Sequence, residues 1–516
     1  MIKQPDWQKF KLFIKVILSI VAVACLFVIK IKVNNLLIAE NGDTYEFFQM
    51  AQDIRSGKFP EGKRMILLPL ILSLANRSSF VTWGRITTTF FYFLSIFLIY
   101  LIVHTLTKNK VISLCAGEVF LFNTIILDNS FYIMSDTLST FLILLFFYLS
   151  LRDKKNYLLL SVVAGLAFMT RIENVVLFAT LGLNLLLRKD KKNLSKSILI
   201  GSIFVLFILL KNFFKFGNPV FTAYTQDKAG FNINIKNIYL ALTNFIFTVG
   251  GIWFLPTVFE SAKSIKLTKS FFSETGKNIP LVTTVLLNLI LVVWSPVVRL
   301  YSILVSTLII WNFYFFFKNY DQKIKFKRLH LVLLFLSLIL FLIATQVFGQ
   351  RDYGMFKISK AVNILLSFVI FYLLFLSGKQ IRKVVIPIAI LISIINITIF
   401  AERFNVTRYK YATIKQATAY YTTDLSNKGK IGYMDESGLE AWFLNDRYGK
   451  FNYLNSKLTL NEWLDTNNIR FILYTDEMGH VEDNVKPYRE YIRSLKKAED
   501  FKSLFPGGYT KIIDLQ

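Results

Sequence analysis

Cysteine, histidine and acidic residues are all scarce in this chain of 516 residues. Its two cysteines, Cys25 and Cys115, both fall inside apolar runs, so we expect them to pack as small hydrophobic side chains rather than to form a disulfide. The three histidines are far apart and lack the spacing of a zinc motif, which argues against a histidine-based zinc site. Only 33 Asp and Glu oppose 60 Lys and Arg, giving a net charge of +27.

The basic residues do not form the single patch that nucleic-acid binding requires. They lie in short runs between hydrophobic stretches, which is typical of the cytoplasmic loops of membrane proteins. Apolar residues make up 54% of the chain, and Phe alone fills 51 positions. A soluble fold could not bury that much apolar surface, so membrane lipids must surround most of it. Nucleic acid is therefore not expected as a partner.

The hydrophobic pattern predicts an α-helical multi-pass protein of the plasma membrane with about 13 transmembrane helices. The Lys/Arg-rich loops alternate with loops poor in these residues, such as 128–135. This parity predicts a cytoplasmic N-terminus and an exterior C-terminus. The N-terminal segment lacks a small-residue cleavage pattern, so we interpret it as an uncleaved first helix. The predicted spans are 11–30, 84–104, 111–127, 136–151, 156–170, 173–187, 197–216, 238–259, 279–295, 299–317, 330–347, 361–377 and 384–400.

Two regions of the predicted membrane domain, residues 1–402, depart from simple hydropathy. The first exterior loop, 31–83, is too polar to span as a unit; it should hold a short amphipathic helix after residue 42 and a Pro69-containing run along the outer interface. The spans 156–170 and 173–187 are short, so the turn between them should lie below the outer surface. Arg171 and Glu173 would then face a water-filled cavity or buried partners.

Residues 403–516 are predicted to form a small exterior α/β domain, because long apolar runs end there while charge rises. The segments 430–435, 470–476 and YTKIIDL resemble strands. LTLNEWLDTNN predicts a helix start in which Thr459 is the cap and Glu462 completes a capping box. The run YREYIRSLKKAEDFKSLF, 488–505, predicts a further helix.

Acidic residues at the predicted exterior ends of helices are the candidates for catalysis. Asp43 and Asp136 each precede a helical run, so each has two compatible interpretations: a helix cap, or a carboxylate that faces an exterior cavity. Arg351 is a candidate for binding phosphate, for which guanidinium geometry is well suited, or else a snorkelling cation paired with Asp352. Arg64 is a weaker candidate of the same kind.

Five segments together resemble the GT-C superfamily of membrane glycosyltransferases, and most of all its protein O-mannosyltransferases and lipid A aminoarabinose transferases. Each motif is short; their order and predicted sidedness carry the resemblance, which is good over roughly the first 190 residues. The segments are GDTYEFFQMAQDIRSGKFP, KRMILLPLILSLA, FYIMSDTLSTFLILLFFYLSL, GLAFMTRIENVVLFA and QRDYGMFKISK.

The resemblance implies a catalytic role for Asp43 and a second exterior acid at Asp136. It also implies substrate binding by a wider set of side chains. Many relatives carry a second acidic residue after the first Asp, whereas Thr44 stands here and no Asp-x-Asp pair follows, so neither a divalent cation nor another cofactor is assigned. The substrate-binding candidates are Tyr45, Arg64, Arg171, Glu173 and Arg351.

The function implied is an inverting hexosyl- or pentosyltransferase that moves a sugar from a polyprenyl phosphate to a hydroxyl acceptor outside the membrane. Asp43 would take the acceptor proton, and Arg351 with Arg171 would stabilise the phosphate leaving group. A transporter or flippase of a lipid-linked or anionic substrate is the alternative from another class, although we find no repeated halves. A surface-polysaccharide polymerase or ligase would use the same kind of donor.

Overall fold

The structure is a computed structural model, and it describes two parts of the chain. In the N-terminal part these are residues 21, 24–37, 40, 42–60, 64–152 and 156–216; in the C-terminal part they are 412–434, 439–446, 450–453, 458–475, 497–502 and 509–515. A few single positions between the two parts are also described. The six predicted spans from 238–259 to 384–400 lie outside the described residues, those single positions excepted.

The first loop, 31–83, contains two short helices, of which the sequence predicts the first. Helix α1, 24–34, precedes both, and α2, Gly42–Arg55, is the predicted amphipathic helix. Helix α3, Leu67–Leu72, has only six residues and is too short to cross a bilayer. Pro69 lies in its first turn, where the missing N–H leaves no intrahelical bond unmade.

Within the described residues, two helices are long and apolar enough to cross a membrane. Helix α4, Phe80–Thr107, follows a 3-10 turn and has 28 residues, and α10, Lys191–Phe216, has 26. At 1.5 Å per residue both exceed the roughly 30 Å of a hydrocarbon core. Large apolar side chains such as Leu199 and Phe214 are exposed along α10, as expected of a surface that faces lipid.

The predicted span 111–127 is wrong as a single helix. The structure has α5, Lys110–Leu121, and α6, Thr124–Asn129, with a break between them. Asn123 explains the break, because its side-chain oxygen accepts a hydrogen bond from the N–H of Ile126 at 3.4 Å. An Asn at that position caps a new helix start and competes with continuation of the previous one.

The next three helices follow the predicted pattern. Helix α7, Ser135–Leu151, is followed by α8, Tyr157–Phe168, and α9, Val175–Leu187, which have 12 and 13 residues. Each of the last two is about 20 Å long or less, short of a bilayer core. A 3-10 turn, Ile172–Asn174, joins them, so the predicted junction of two short helices is confirmed.

Gly165 allows the closest approach between α8 and α10. A Cβ atom there would lie 2.1 Å from Cδ2 of Phe204 and 2.2 Å from its Cε2. A methyl group cannot enter that space unless the ring moves, and overpacking of this kind costs about 1–3 kcal/mol. We therefore expect Gly165→Ala to lower the free energy of unfolding of the detergent-solubilised protein by that amount.

Gly182→Ala in α9 is the matched control, because no described atom lies within 4 Å of the Cβ it would add. Ala favours a helix more than Gly does, so this variant should melt at or slightly above the wild-type temperature. Equal melting temperatures for the two variants would contradict the close packing at Gly165.

The C-terminal part contains a four-stranded sheet in the order β1-β2-β4-β3. Strand β1, Lys430–Tyr433, is parallel to β2, Ile469–Thr475, while β4, Tyr509–Asp514, runs antiparallel to both β2 and β3, Lys497–Lys502. Side chains of β2 alternate between two apolar clusters, with Phe471 in one and Ile472 in the other. Each face of the sheet therefore supports its own small core.

Short helices accompany this sheet. Helix α11, Ala412–Tyr420, precedes it, and α12, Leu439–Phe443, and α13, Leu460–Asn467, lie in the connection from β1 to β2. The predicted capping box of α13 is confirmed: the Glu462 carboxylate accepts from the N–H of Thr459 at 2.9 Å. The hydrogen bonds that Glu462 accepts from the hydroxyl and the N–H of Thr459 lower the pKa of its carboxyl group.

The helix predicted over 488–505 is contradicted where the structure describes it. Residues 497–502 form strand β3, paired with β4 in antiparallel register. Ala, Glu and Lys favour helices locally, but that preference is weak, and pairing with a neighbouring strand overrides it. The remainder of that predicted helix lies outside the described residues.

Candidate active site

A cavity opens where the first loop meets the starts of α7 and α9. It is open to solvent, and the space within it, open solvent included, is about 320 Å³. Four short segments build it: the first turns of α2, the chain before α3, the start of α7, and the turn between α8 and α9. Its lining residues are Asp43, Phe47, Arg64, Met65, Met134, Ser135, Thr170, Arg171 and Glu173.

Asp43 faces this cavity from the first turn of α2. The helix begins at Gly42, so Asp43 lies inside the helix and not at the capping position before it. Its Oδ1 atom accepts from Nη2 of Arg64 at 2.7 Å, and Nε of the same Arg64 donates to Oε2 of Glu46 at 2.9 Å. Asp43 and Glu46 are three residues apart and share a helix face, so one guanidinium bridges both.

A second arginine bridges two carboxylates on the other side of the cavity. Nη1 of Arg171 donates to Oδ1 of Asp136 at 2.7 Å, and its Nε donates to Glu173. Residues two apart cannot meet on one helix, but Arg171 is extended and precedes a 3-10 turn, which turns Glu173 back toward it. Arg171 and Glu173 therefore face both the cavity and a buried partner, combining the two predicted environments.

Asp136 lies behind Arg171 rather than on the cavity wall. Its side chain is 1% exposed, against 11% for Arg171. Met134 holds the capping position of α7, so the helix-cap interpretation of Asp136 is wrong. Its second oxygen, Oδ2, is buried and has no hydrogen-bond partner among the described residues. The structure thus favours Asp136 as the group that orients Arg171.

Among the described residues, the cavity is surrounded by more acidic than basic side chains. Two guanidinium groups contact four carboxylates there, those of Asp43, Glu46, Asp136 and Glu173. A third cation comes from α10, where the buried Nζ of Lys211 donates to the carbonyl oxygen of Arg64 at 2.6 Å. An anionic ligand must therefore compete with carboxylates for the guanidinium donors, or displace them.

Tyr45, predicted to bind substrate, lies on the opposite face of α2 from Asp43. It is buried in the main apolar cluster, and its hydroxyl accepts from the N–H of Glu40 at 3.1 Å. Thr44, in the place of the second acid, donates to the carbonyl oxygen of Ile133 at 3.1 Å. Both side chains anchor α2 to its surroundings, and neither lines the cavity.

A buried ion pair that the sequence analysis missed fixes the chain just before α2. Nε of Arg85 donates to Oε1 of Glu40 at 2.7 Å, and its Nη1 donates to Oδ1 of Asn35 at 2.9 Å. Burial raises the pKa of Glu40, and the adjacent Arg85 opposes that rise. The sequence offered one signal for this pair: Glu40 lies in the first exterior loop, and Arg85 lies at the start of the span that follows it.

One candidate, Arg351, lies outside the described residues. Within the described part of the chain, no three His, Cys, Asp or Glu residues lie close enough to share a metal ion.

Two crystal structures of ArnT from Cupriavidus metallidurans resemble the whole chain. The structure bound to undecaprenyl phosphate has a TM-score of 0.56 and 8% sequence identity, and the apo structure has 0.58 and 10%. Each comparison covers 96% of this chain and 98% of ArnT. The chain has the ArnT fold. No protein-family model matches the sequence, and a search of curated proteins finds no significant match.

The resemblance to the lipid A aminoarabinose transferases is confirmed at the level of the fold. The fold also confirms a helical, multi-pass membrane architecture. The number of spans, the domain boundary near residue 402 and the sidedness of the termini stay predictions. So do the roles of the individual site residues.

Proposed function

We propose that this protein is an inverting GT-C-type glycosyltransferase that takes a sugar from a polyprenyl phosphate and transfers it to a hydroxyl acceptor at the exterior membrane surface. One observation carries the proposal: a half-buried carboxylate, Asp43, faces a cavity that two arginines also reach. The arrangement occurs in a fold shared with ArnT, one structure of which contains undecaprenyl phosphate.

In the proposed reaction Asp43 is the general base. The acceptor hydroxyl gives its proton to the carboxylate while its oxygen forms a bond to the anomeric carbon. The bond from that carbon to the phosphate oxygen breaks, and its electron pair leaves with polyprenyl phosphate. A single displacement inverts the anomeric centre and needs one base, because a phosphate is already a good leaving group.

Arg64 and Arg171 are the proposed partners of the phosphate. Guanidinium groups match phosphate oxygens in charge and geometry, and stabilisation of charge on the leaving group is a large catalytic term. Both arginines already bridge carboxylates, so their orientation is fixed before the donor arrives. We assign Asp136 and Glu173 to holding Arg171, and we keep Arg351 as a further phosphate-binding candidate.

Arg64 contacts both Asp43 and Glu46, and its contact with Asp43 affects the strength of that carboxylate as a base. While Arg64 contacts Asp43, the guanidinium favours the ionised carboxylate and weakens it as a base. A phosphate that draws Arg64 toward itself would loosen this contact and raise the basicity of Asp43. Donor binding would then prepare the base for the acceptor.

Sugar transfer by the purified full-length protein tests the proposal. Undecaprenyl-phosphate sugars of the hexosyl and pentosyl classes, radiolabelled in the sugar, would be supplied with a membrane extract as the source of acceptors. We expect label to move from the donor into a new product as undecaprenyl phosphate appears. Intact donor throughout, with the same lipids crossing proteoliposome membranes, would overturn the proposal in favour of a flippase. A ladder of product lengths would instead identify a polysaccharide polymerase.

A further inference from the structure

We propose that Trp442, in the C-terminal part of the chain, is a positioning residue for the catalytic carboxylate Asp43. The inference rests on the proposed function for what Asp43 does, but its geometric basis is independent of that function. It assigns a role to the C-terminal sheet: it holds helix α2 in place from the side opposite the cavity.

Helix α12 packs its aromatic side chains directly on α2. The ring centroid of Trp442 lies 5.2 Å from that of Phe48 and 6.0 Å from that of Tyr45. The ring of Phe443 adds a contact with Tyr45 at 5.4 Å. These separations are those of well-packed aromatic pairs, which prefer tilted or offset geometries.

Residues in and just before α4 also contact the Trp442 ring. Phe80 stacks on its ring with centroids 6.5 Å apart, and the guanidinium of Arg77 lies 4.7 Å from the ring centroid on a cation–π contact. Trp442 is thus held by α2, by the turn before α4, and by α4 itself. A single side chain links three elements of the N-terminal part.

The two faces of α2 make different contacts. Asp43 and Phe47, four residues apart, line the cavity. Tyr45 and Phe48, three residues apart, form the other face and receive Trp442. A helix clamped on one face can rotate or tilt little, so the direction in which Asp43 points is set by contacts on the far side of its own helix.

The clamp is firmly attached to the sheet. Leu439 of α12 belongs to the main apolar cluster of the N-terminal part, whereas Ala441 belongs to the cluster on one face of the sheet. Asp446, just after α12, accepts from the Tyr433 hydroxyl at 2.5 Å and from the N–H of Phe451 at 2.9 Å. These bonds tie the end of α12 to β1, so that the sheet and α2 are mechanically coupled.

Catalysis is sensitive to the placement of a base, and a displacement of about 1 Å can reduce a rate on the order of 100-fold. We expect Trp442→Ala in the full-length protein to lower kcat for sugar transfer roughly 10- to 100-fold with little change in the donor KM. Trp442→Phe keeps an aromatic ring in the same seat and should recover most of the rate. Hydrogen exchange of the α2 amides should be faster in Trp442→Ala and close to wild type in Trp442→Phe.

Trp463→Ala is the matched control. It removes the same side chain from the cluster on the other face of the sheet, between α13 and β2. We expect faster exchange in the sheet but not in α2. Unchanged α2 exchange in Trp442→Ala would overturn the proposal, as would an equal rise of α2 exchange in Trp463→Ala. The exchange measurements hold even if no sugar is transferred, so failure of the proposed function is distinguishable from failure of the clamp.

Discussion

Asp43→Asn should lower kcat for sugar transfer by about 10²- to 10⁴-fold, the contribution expected of a positioned general base. The amide has almost the same shape and can still accept from Arg64 through its oxygen, so the cavity should keep its structure. It cannot take up the proton of the acceptor hydroxyl. Because the donor phosphate contacts other groups, the donor KM should change little. Initial rates with a labelled polyprenyl-phosphate sugar measure both constants.

Glu46→Gln provides the comparison for this prediction. Glu46 shares Arg64 with Asp43 and is exposed to a similar degree, with 20% and 18% of the side chain accessible. It does not line the cavity, so its substitution changes the charge around Arg64 without removing the proposed base. A loss of rate in Glu46→Gln as large as in Asp43→Asn would mean that charge balance, and not proton transfer, explains the effect. Full activity in Asp43→Asn would remove Asp43 as the base.

Arg171→Met should destabilise the protein by about 3–5 kcal/mol, as breaking one side of a buried ion pair does. Asp136 is almost fully buried, and its Oδ1 accepts a hydrogen bond from Nη1 of Arg171 at 2.7 Å. Without the guanidinium, a buried carboxylate would be left uncompensated. The loss should be measurable as a lower free energy of unfolding, or a lower melting temperature, of the detergent-solubilised protein.

Two further variants make this result specific. Arg64→Met removes an arginine from a more exposed pair, 21% accessible, and exposed pairs contribute about 0–1 kcal/mol. Its stability should therefore change much less. Asp136→Asn combined with Arg171→Met removes both charges and should recover part of the stability. A double variant no more stable than Arg171→Met alone would contradict the pairing.

The sequence pattern predicted those elements whose formation depends on residues close together in the chain. The short α2, the junction of α8 and α9 at Arg171, and the capping box at Thr459 all follow from residue types within a few positions of each other. Apolar length fixed α4 and α10 in the same way, since a bilayer imposes a minimum length on any span.

The two failures have different causes: a distant partner decided one, and a local cap decided the other. The composition of β3 favours a helix, but the segment forms a strand because it pairs with β4. The helix break at Asn123 depends on one side chain in a run that is otherwise apolar enough to continue. In each case the competing local preference was weak, on the order of 1 kcal/mol or less per residue.

The sequence identified several residues of the candidate site, but it did not show how their side chains are arranged. Asp43, Arg64, Arg171 and Glu173 do meet around one cavity. Tyr45 is two residues from Asp43 on the predicted helix, so spacing alone places it on the opposite face. Sequence could not reveal that Phe443 of α12, far along the chain, packs on that face. Nor could spacing reveal that each arginine is shared between two carboxylates.

The short helices α8 and α9 also constrain how the protein enters the membrane. Neither is long enough to span a bilayer core alone, so we expect them to enter the membrane together as a hairpin with Arg171 and Glu173 at its tip. Helix α7 precedes them in the chain, so Asp136 is synthesised before Arg171. We therefore expect the carboxylate that pairs with Arg171 to be in place when the hairpin forms.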